Sequence, residues 1–359
     1  DEMNLSPRNL STDVLGDTYE YLVGHFASDA GKKGGEFYTP TEVSQLLASI
    51  LKAKPGDRVY DPCCGSGSLL IRACSAIEAD DTGTRNVMPY GQEMNGATWS
   101  LCKMNMFLHG LDRAQIERGD TLRSPALVTD HNSLMTFNVI TANPPFSLDK
   151  WGQESITSES PDKYGRFHRG LPPKSKADWA FLSHMIESMD TVDGRLGVVV
   201  PHGVLFRGAS ERKIRKAVIE ENLLDGVIGL PANIFYGTGI PAALMFFRRN
   251  RKPGDDIFFI DASSEFEKGK QQNLLRETDL KKIVATWEAR KDVEKYAHLA
   301  TLEEIEANDF NLNIPLYVDT FEEEAPVDLA AVKAEITRLD TELAATRAEL
   351  DAALEELGL

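Results

Sequence analysis

The sequence has few of the residues that mark secreted, membrane-bound or zinc-binding proteins. Its 359 residues include four cysteines. Two of these, Cys63 and Cys64, are adjacent and cannot bridge without strain, so we expect reduced thiols and no metal site. No apolar run approaches the roughly 20 residues of a membrane span, and the first residues lack the charged-then-apolar order of a signal peptide. We therefore expect a cytoplasmic protein with no membrane partner.

Basic residues are too few for a chain that coats nucleic acid by itself. Lys and Arg number 39 against 56 Asp and Glu, a net charge of −17, whereas phosphate contacts need cations. Charge is local, however, and the segment 163–176 contains bases and no acid. It supplies the candidate DNA contacts, which are Lys163, Arg166, Arg169, Lys174 and Lys176. The alternative is an ordinary solvated surface loop.

Short apolar runs alternate with helical patterns through most of the chain. Strands are predicted at 58–61, 87–93, 114–120, 137–143, 195–201, 223–230 and 242–247, and helices at 41–51, 67–79, 95–109, 176–190 and 209–221. This alternation predicts an α/β, Rossmann-like fold with a mostly parallel seven-stranded sheet and helices on both faces. Because the last two strands lack a clear helix between them, we expect one of them to run antiparallel.

The pattern predicts three regions along the chain. Residues 1–52 form an N-terminal helical segment with a loop, 53–318 a catalytic domain, and 319–359 a C-terminal helix. Apolar residues recur at three- and four-residue steps from Leu329 to Leu357, which is the heptad seam of a coiled coil. Such a stripe cannot bury itself, so we expect this helix to pack on another helix.

Polar groups suited to ligand binding follow four of the predicted strands. The first strand runs into "DPCCGSG", in which Asp61, Gly65, Ser66 and Gly67 form a strand-to-helix turn that lets the backbone approach a ligand. A purely structural turn is as good an explanation for that motif alone. The next two strands end at Glu93, suited to two ribose hydroxyls, and at Asp120 followed by Thr121, suited to an adenine amino group.

The fourth strand ends in "NPPF", which is Asn143, Pro144, Pro145 and Phe146. Proline fixes its own φ and restricts the residue before it, so the turn is rigid and can direct carbonyl oxygens outward. Four successive strand ends thus present a glycine turn, two carboxylates and a rigid acceptor turn. That layout is expected for S-adenosylmethionine beside a second, planar substrate.

The chain resembles the modification subunit of type I restriction-modification systems, a family of N6-adenine DNA methyltransferases. The resemblance rests on "EFYTP", "DPCCGSG", "NPPF", "KADWAFLSHMI", "GRLGVVVPHGVLFRG", "IGLPANIFYGTGIP" and "DFNLNIPLYVDT" in this order. It runs from about Asn4 to the terminal helix. Family members usually carry a helical domain upstream of the point where this chain begins.

The resemblance implies a role for each matching residue. Asn143 and Pro144 would accept hydrogen bonds from the amino group of a flipped adenine, with Pro145 completing the turn and Phe146 stacking on the base. Phe235 would form the other face of this base slot, although an ordinary buried aromatic is nearly as good an explanation. S-Adenosylmethionine would be bound by Phe37, Tyr38, Thr39, Pro40, Asp61, Gly65, Ser66, Gly67, Glu93, Asp120 and Thr121.

The resemblance also implies partners, namely double-stranded DNA, a specificity subunit, a second modification subunit and a restriction/translocase subunit. Two alternatives stay open: a catalytically silent cofactor-binding scaffold, and a protein glutamine methyltransferase with a similar Asn-Pro-Pro turn. Cytosine C5 methylation needs a cysteine nucleophile after proline. The one Pro-Cys step, Pro62–Cys63, lies inside the glycine turn, which argues against that chemistry.

Overall fold

A computed structural model describes residues 16, 18–19, 39–78, 85–235, 239–270, 272–320 and 329–356. The chain divides into two compact units, Asp1–Asp319 and Thr320–Leu359. In the described part of the chain, no helix has both the length and the apolar content of a membrane span. The first 38 residues of the N-terminal segment predicted at 1–52 lie outside the described residues, apart from residues 16, 18 and 19.

The larger unit is built on one sheet with helices on both faces. Its strands are β1 Arg58–Asp61, β2 Met88–Glu93, β3 Gln115–Arg118, β4 Val139–Ala142, β5 Arg195–Pro201, β6 Leu224–Gly229, β7 Ala242–Arg248, β8 Ile257–Asp261 and β11 Ala297–Ala300, with a separate hairpin of β9 Glu267–Lys268 and β10 Asn273–Leu274. The helices of this unit are α1 Thr41–Leu51, α2 Ser68–Ser75, α3 Gly96–Leu108, α4 Asp178–Glu187, α5 Gly203–Phe206, α6 Ala209–Glu220, α7 Glu277–Ala289 and α8 Leu302–Ala307.

The strand order is β11-β8-β6-β7-β5-β4-β1-β2-β3. β1 to β5 run parallel to one another, and β7 runs antiparallel between β5 and β6. The prediction that one of the last two predicted strands runs antiparallel is therefore confirmed. Because the carboxyl ends of β1, β2, β3 and β4 lie at one edge, the residues that follow these strands can form one site.

The predicted strand count of seven is wrong, because two further strands extend the sheet beyond β6. β8 pairs parallel with β6, and β11 pairs antiparallel with β8. The β8 segment "IFFID" is a continuous buried apolar run, which is a strand signal that the prediction passed over. The β11 segment "AHLA" has no such signal by itself, and its pairing with β8 gives it strand structure.

Alternating residues along the strands support a hydrophobic cluster on each face of the sheet. In β5, Leu196, Val198 and Val200 belong to one cluster and Val199 to the other, as the two-residue period of a strand requires. All residues from Asp178 to Ile186 in α4 are buried. On the other face, α1 packs closely, since a Cβ added at Gly197 would lie 2.9 Å from Leu47.

The second unit contains one helix, α9 Leu329–Glu356, of 28 residues. At a rise of about 1.5 Å per residue it is roughly 40 Å long. Its apolar side chains at the predicted seam are about half exposed, as for Val332, Ile336, Leu339, Leu343 and Leu350. The helix is confirmed as a secondary-structure element, and its pairing in a coiled coil stays a prediction.

Candidate active site

One cavity of about 220 Å³ lies at the carboxyl edge of β1 to β4. Five of the predicted site residues line it together, which are Glu93, Asp120, Thr121, Asn143 and Pro145. They come from three different strand ends. The sheet thus joins the predicted cofactor acids and the NPPF turn in a single cavity.

The cavity has further walls that the sequence did not single out. They include Met94, Asn95 and Thr98 at the start of α3, with Leu148 and Phe181 on the opposite side. The Asn95 side chain caps α3 by accepting hydrogen bonds from the amides of Ala97 and Thr98. Apolar side chains beside fixed polar groups are the usual composition of a small-molecule site.

The glycine turn brings the backbone of the β1–α2 connection against the end of β2. Gly65 and Gly67 have φ of 53° and 85°, a left-handed conformation that favours glycine. The Gly65 amide donates to Glu93 Oε2 at 3.0 Å. A Cβ at Gly67 would lie 2.4 Å from Met106 Cε and 2.9 Å from Cys102 Sγ, so this turn also needs glycine for packing.

Two carboxylates beside this turn give the site a negative character. Glu93 accepts hydrogen bonds from Gly65 and, at 2.7 Å, from the Asn95 amide, yet burial still raises the pKa of Glu93. Asp61 is buried and accepts from the Cys63 amide at 2.9 Å. Burial, with the neighbouring charge of Glu93, raises the pKa of Asp61 to about 7. A ligand with a positive charge would stabilise both ionised carboxylates.

The end of β3 is fixed to the glycine turn. Asp120 Oδ1 accepts from the amides of Leu122 at 2.9 Å and Arg123 at 3.1 Å. The Thr121 hydroxyl donates to the Pro62 carbonyl at 2.5 Å. One carboxylate oxygen of Asp120 therefore holds its own loop, and the other is left to face a ligand or Arg123, whose Nε lies 3.5 Å from it.

The NPPF turn is joined to the "EFYTP" motif by a hydrogen bond between side chains. Asn143 is buried, and its Nδ2 donates to Thr39 Oγ1 at 3.1 Å. In this arrangement the amide nitrogen faces Thr39, and Oδ1 lies on the other side of the group. Thr39 thus sets the orientation of the residue that is predicted to accept from the adenine.

Of the other residues in "EFYTP", one lies at the start of α1 and two lie outside the described residues. Pro40 is buried and precedes α1, and its carbonyl accepts from the Ser44 amide at 3.1 Å. The structure therefore gives Pro40 a role in starting a helix. Phe37 and Tyr38 lie outside the described residues, so their predicted contact with the cofactor stays a prediction.

A buried ion pair supports the exit of the NPPF turn, and the sequence did not predict it as part of the site. Ser147 has a φ of 52°, and its amide donates to Asp178 Oδ1 at 2.9 Å. The other oxygen of Asp178 accepts from Arg207 Nη1 at 2.7 Å. Both residues lie in motifs that carry the family resemblance, but only the fold shows that they meet beneath this turn.

Phe146 and Phe235 contact each other, as expected if both border a base slot. Their ring centroids are 5.9 Å apart and the rings are inclined at 74°, so they pack edge to face. Phe235 is buried, whereas Phe146 is partly exposed. A base cannot lie between rings in this arrangement, and one ring would have to turn to form the slot.

Two of the five predicted DNA contacts are wrong, because Arg166 and Arg169 are buried. Arg166 forms an ion pair with Asp162 at 2.6 Å. It also donates to the carbonyls of Thr121 at 3.2 Å and Leu122 at 2.9 Å. Arg166 therefore ties the segment 163–176 to the end of β3. The net positive charge of a sequence segment did not reveal which cations are internal.

Arg169 is likewise internal, with ion pairs to Glu187 at 2.7 Å and Glu221 at 2.6 Å. These contacts join the loop to α4 and to the end of α6. The cations of this loop that remain available to solvent are Lys163 and Lys174, with Lys176 half-buried. DNA contact by these three lysines stays a prediction.

The fold is that of the S-adenosylmethionine-dependent methyltransferases. The antiparallel β7, the glycine turn after β1 and the acid at the end of β2 occur together in one mostly parallel sheet. The site fits the cofactor, since the half-buried carboxylate of Glu93 and the buried carboxylate of Asp61 suit its positive charge.

Residues 10–325 match the model of the N-6 DNA Methylase family, and the chain belongs to that family. It is similar to the type I restriction enzyme MpnII methylase subunit of Mycoplasma pneumoniae, with 35% identity over 92% of this chain and 61% of that subunit. It is also similar to the HindI methylase subunit of Haemophilus influenzae, with 34% identity over 96% of this chain and 77% of that subunit.

Among solved structures, the chain is similar to the type I restriction-modification methyltransferase subunit of Streptococcus thermophilus. The TM-score is 0.79 and the identity 43%, over 88% of this chain and 66% of that one. The chain thus spans less than two thirds of the M. pneumoniae and S. thermophilus proteins.

Proposed function

We propose that this chain is the catalytic part of a site-specific DNA adenine N6-methyltransferase, acting as the modification subunit of a type I restriction-modification complex in the cytoplasm. The observation that carries the proposal is the single cavity shared by Glu93, Asp120, Asn143 and Pro145. Acids for the cofactor and acceptors for an amino group meet there. Membership of the N-6 DNA Methylase family and similarity to type I methylase subunits support DNA as the substrate class.

The NPPF turn activates the amino nitrogen of a flipped adenine. Asn143 Oδ1 and the Pro144 carbonyl accept its two hydrogen bonds, which draws the lone pair out of the ring and aligns it for transfer. S-Adenosylmethionine supplies an electrophilic methyl on sulfonium. Glu93 and Asp120 would hold the cofactor so that its methyl could pass from sulfur to the amino nitrogen, which would then lose one proton to solvent. Phe146 stacks on the flipped base.

Substitution of the acceptor tests this mechanism. Asn143→Ala removes one acceptor of the transition state, and we expect methylation by the assembled complex to fall about 10²–10³-fold, as for one lost electrostatic contact. S-Adenosylmethionine affinity, measured by calorimetry, should stay close to that of the unsubstituted protein. Full activity of Asn143→Ala would refute the assignment. Tritium transfer to DNA compared with protein substrates separates this function from glutamine methylation.

The C-terminal helix is the subunit contact in this proposal. α9 is 28 residues long with a half-exposed apolar seam, and such a seam is covered when helices form a coiled coil. Its partner is the specificity subunit, which also brings in a second modification subunit and the restriction/translocase subunit. The partners then provide the sequence readout and many phosphate contacts that an acidic chain lacks.

Deletion of residues 327–359 tests the role of α9. The truncated chain should still bind S-adenosylmethionine but no longer co-elute with the specificity subunit in size-exclusion chromatography with light scattering. A matched control replaces exposed Thr337 and Thr341, which lie on the side of the helix away from the apolar seam, by Ala, and it should assemble normally. Equal assembly of truncated and intact chains would show that the contact lies elsewhere.

A further inference from the structure

A second cavity, of about 230 Å³, lies at the other edge of the sheet, where β5 and β6 begin and β7 ends. Its walls include Lys52 and Lys54 after α1, Arg195 on β5, Arg248 on β7 and Trp287 near the end of α7. β5 alone has seven residues, so at about 3.3 Å per residue roughly 20 Å separates this cavity from the methyl-transfer site. No residue lines both cavities.

Three arginines converge on one buried carboxylate in this cavity, that of Asp225. Arg290 Nη2 lies 2.8 Å from Asp225 Oδ1, Arg251 Nη1 3.1 Å from the same oxygen, and Arg248 Nε 3.1 Å from Oδ2. Arg251 is buried and is further held by the carbonyls of Asp255 and Asp256. A single negative charge thus faces three positive charges.

Asp193 is the other acid that lines the cavity, and Glu288 and Asp57 pair with two of the cations in the cavity wall. Asp193 accepts from the Asn138 amide at 3.0 Å, and Glu288 pairs with Lys52. Asp57 pairs with Arg195 at 2.6 Å.

Strand pairing brings two of the cations together. Arg195 and Arg248 stand directly opposite each other on the antiparallel strands β5 and β7. Like charges in directly opposed positions destabilise a sheet unless an anion lies near them. Each of the two arginines has one carboxylate partner, Asp57 and Asp225 respectively, and Asp225 is shared with two further arginines.

One donor of this cluster belongs to Arg290, which lines an adjoining cavity that shares Lys52, Asp225 and Arg248 with the first. Arg290 Nη1 is buried and has no hydrogen-bond partner among the described residues, which is costly for a charged group. Burial and the neighbouring guanidinium groups lower the pKa of Arg290 and Arg251, and the charges of Asp225 and Asp255 offset this only in part. An oxyanion with several acceptor oxygens would satisfy these groups.

The aromatic wall does not suit a nucleobase. Trp287 is 9% exposed. Its ring is covered by Phe246, with centroids 4.7 Å apart, and by Arg290, whose guanidinium carbon lies 5.0 Å from the ring centroid. No open aromatic face remains for stacking, so recognition must come from the cations.

We infer that this cavity binds a phosphate group, either as inorganic phosphate or as the terminal phosphate of a nucleotide, away from the methyl-transfer site. Arg248, with its side chain 43% exposed, and Lys54, which is exposed, are the cations most able to reach such a ligand. This site does not depend on the methyltransferase function proposed above.

Titration with sodium phosphate and with ATP tests the site on the full chain, by calorimetry and thermal denaturation at constant ionic strength against chloride. We expect saturable binding that raises the melting temperature. Arg248→Gln and Lys54→Gln should each weaken it about tenfold, the effect of one lost charge-assisted hydrogen bond. The matched control is Lys252→Gln, which removes an exposed cation outside the cavity and should bind as the unsubstituted protein does.

The results distinguish inorganic phosphate from a nucleotide as the ligand, or they show that the cavity binds neither. Tighter binding of ATP than of phosphate, with the same loss in both variants, assigns the site to a nucleotide phosphate, and equal binding assigns it to free phosphate. Circular dichroism spectra confirm that the variants are folded, and Lys54→Gln keeps the test valid if Arg248→Gln unfolds. Absence of saturable binding, or equal binding by Lys54→Gln and Lys252→Gln, overturns the inference.

Discussion

Thr39→Val offers a sharp test of how the catalytic turn is organised. The substitution preserves the shape of the side chain but removes the hydroxyl that accepts from Asn143 Nδ2 at 3.1 Å. Thr39 and Asn143 are both buried, so solvent cannot easily replace the lost acceptor. The carboxamide would then lose the contact with Thr39 that favours its present orientation.

The size of the effect follows from the cost of a lost buried hydrogen bond. Loss of the acceptor should destabilise the Asn143 orientation that presents Oδ1 to the adenine by about 1–3 kcal/mol. This corresponds to a loss of roughly 5- to 150-fold in the rate of methyl transfer. The cofactor acids Glu93 and Asp120 do not contact Thr39 through any of the hydrogen bonds described above. We therefore expect kcat to fall by about this factor, while the Kd for S-adenosylmethionine changes little.

The assay is single-turnover methyl transfer by the assembled complex on a DNA duplex with one target site, with calorimetric titration of S-adenosylmethionine alongside it. Thr39→Ser is the matched control, because it keeps the hydroxyl, and its kcat should stay within a few-fold of the unsubstituted enzyme. Unchanged kcat in Thr39→Val, or equal losses in both variants, would refute the argument that the hydroxyl orients Asn143.

Three further predictions follow from the surroundings of the site. Arg166→Ala breaks a buried ion pair and should lower the free energy of unfolding, measured by urea denaturation, by about 3–5 kcal/mol. Lys163→Ala should change that free energy by less than about 0.5 kcal/mol, but it should weaken DNA binding in a gel-shift assay. Gly67→Val should weaken S-adenosylmethionine binding in calorimetry. Gly56→Val is the control and should leave this binding unchanged, because Gly56 has the same left-handed backbone but no atom within 4 Å of an added Cβ. Asp61, with its pKa raised from 3.8 to about 7, holds a proton in the folded state that the unfolded state has released. Stability should therefore fall as pH rises from about 4 to 7, by at most about 1.4 kcal/mol per pH unit, and equilibrium unfolding should show this dependence reduced in Asp61→Asn.

The elements that carry strong local signals were predictable from the sequence. β1 and β5 have the predicted bounds, and α1 does as well, because an apolar run or a helical period with a clear stop marks each. β11 was not predictable, since its structure comes from pairing with β8. A short segment with weak β-strand propensity can thus form a strand by pairing with the exposed edge of a sheet.

The residues that line the candidate site were predictable from the sequence, but the buried side chains that hold them in place were not. Motif spacing placed Glu93, Asp120 and Asn143 at strand ends, and the sheet brought them to one cavity. A sequence does not show which cations are internal, so Arg166 was assigned to DNA although it holds the end of β3. Burial depends on contacts between segments far apart in the chain, and those are fixed only by the fold.

The cofactor side and the base side of the cavity are held by one connected set of hydrogen bonds. Thr121 joins the end of β3 to the glycine turn, and Arg166 joins that same strand end to the loop that follows the NPPF turn. Because Arg166 donates to backbone carbonyls on the cofactor side, ordering of that side also restricts the loop on which the exposed lysines lie. A loop already ordered by the cofactor loses less conformational entropy when it contacts DNA. The cofactor should therefore strengthen DNA binding. Hydrogen exchange in residues 163–176 should slow when S-adenosylmethionine is added, and unchanged exchange there would mean that the two sides are held independently.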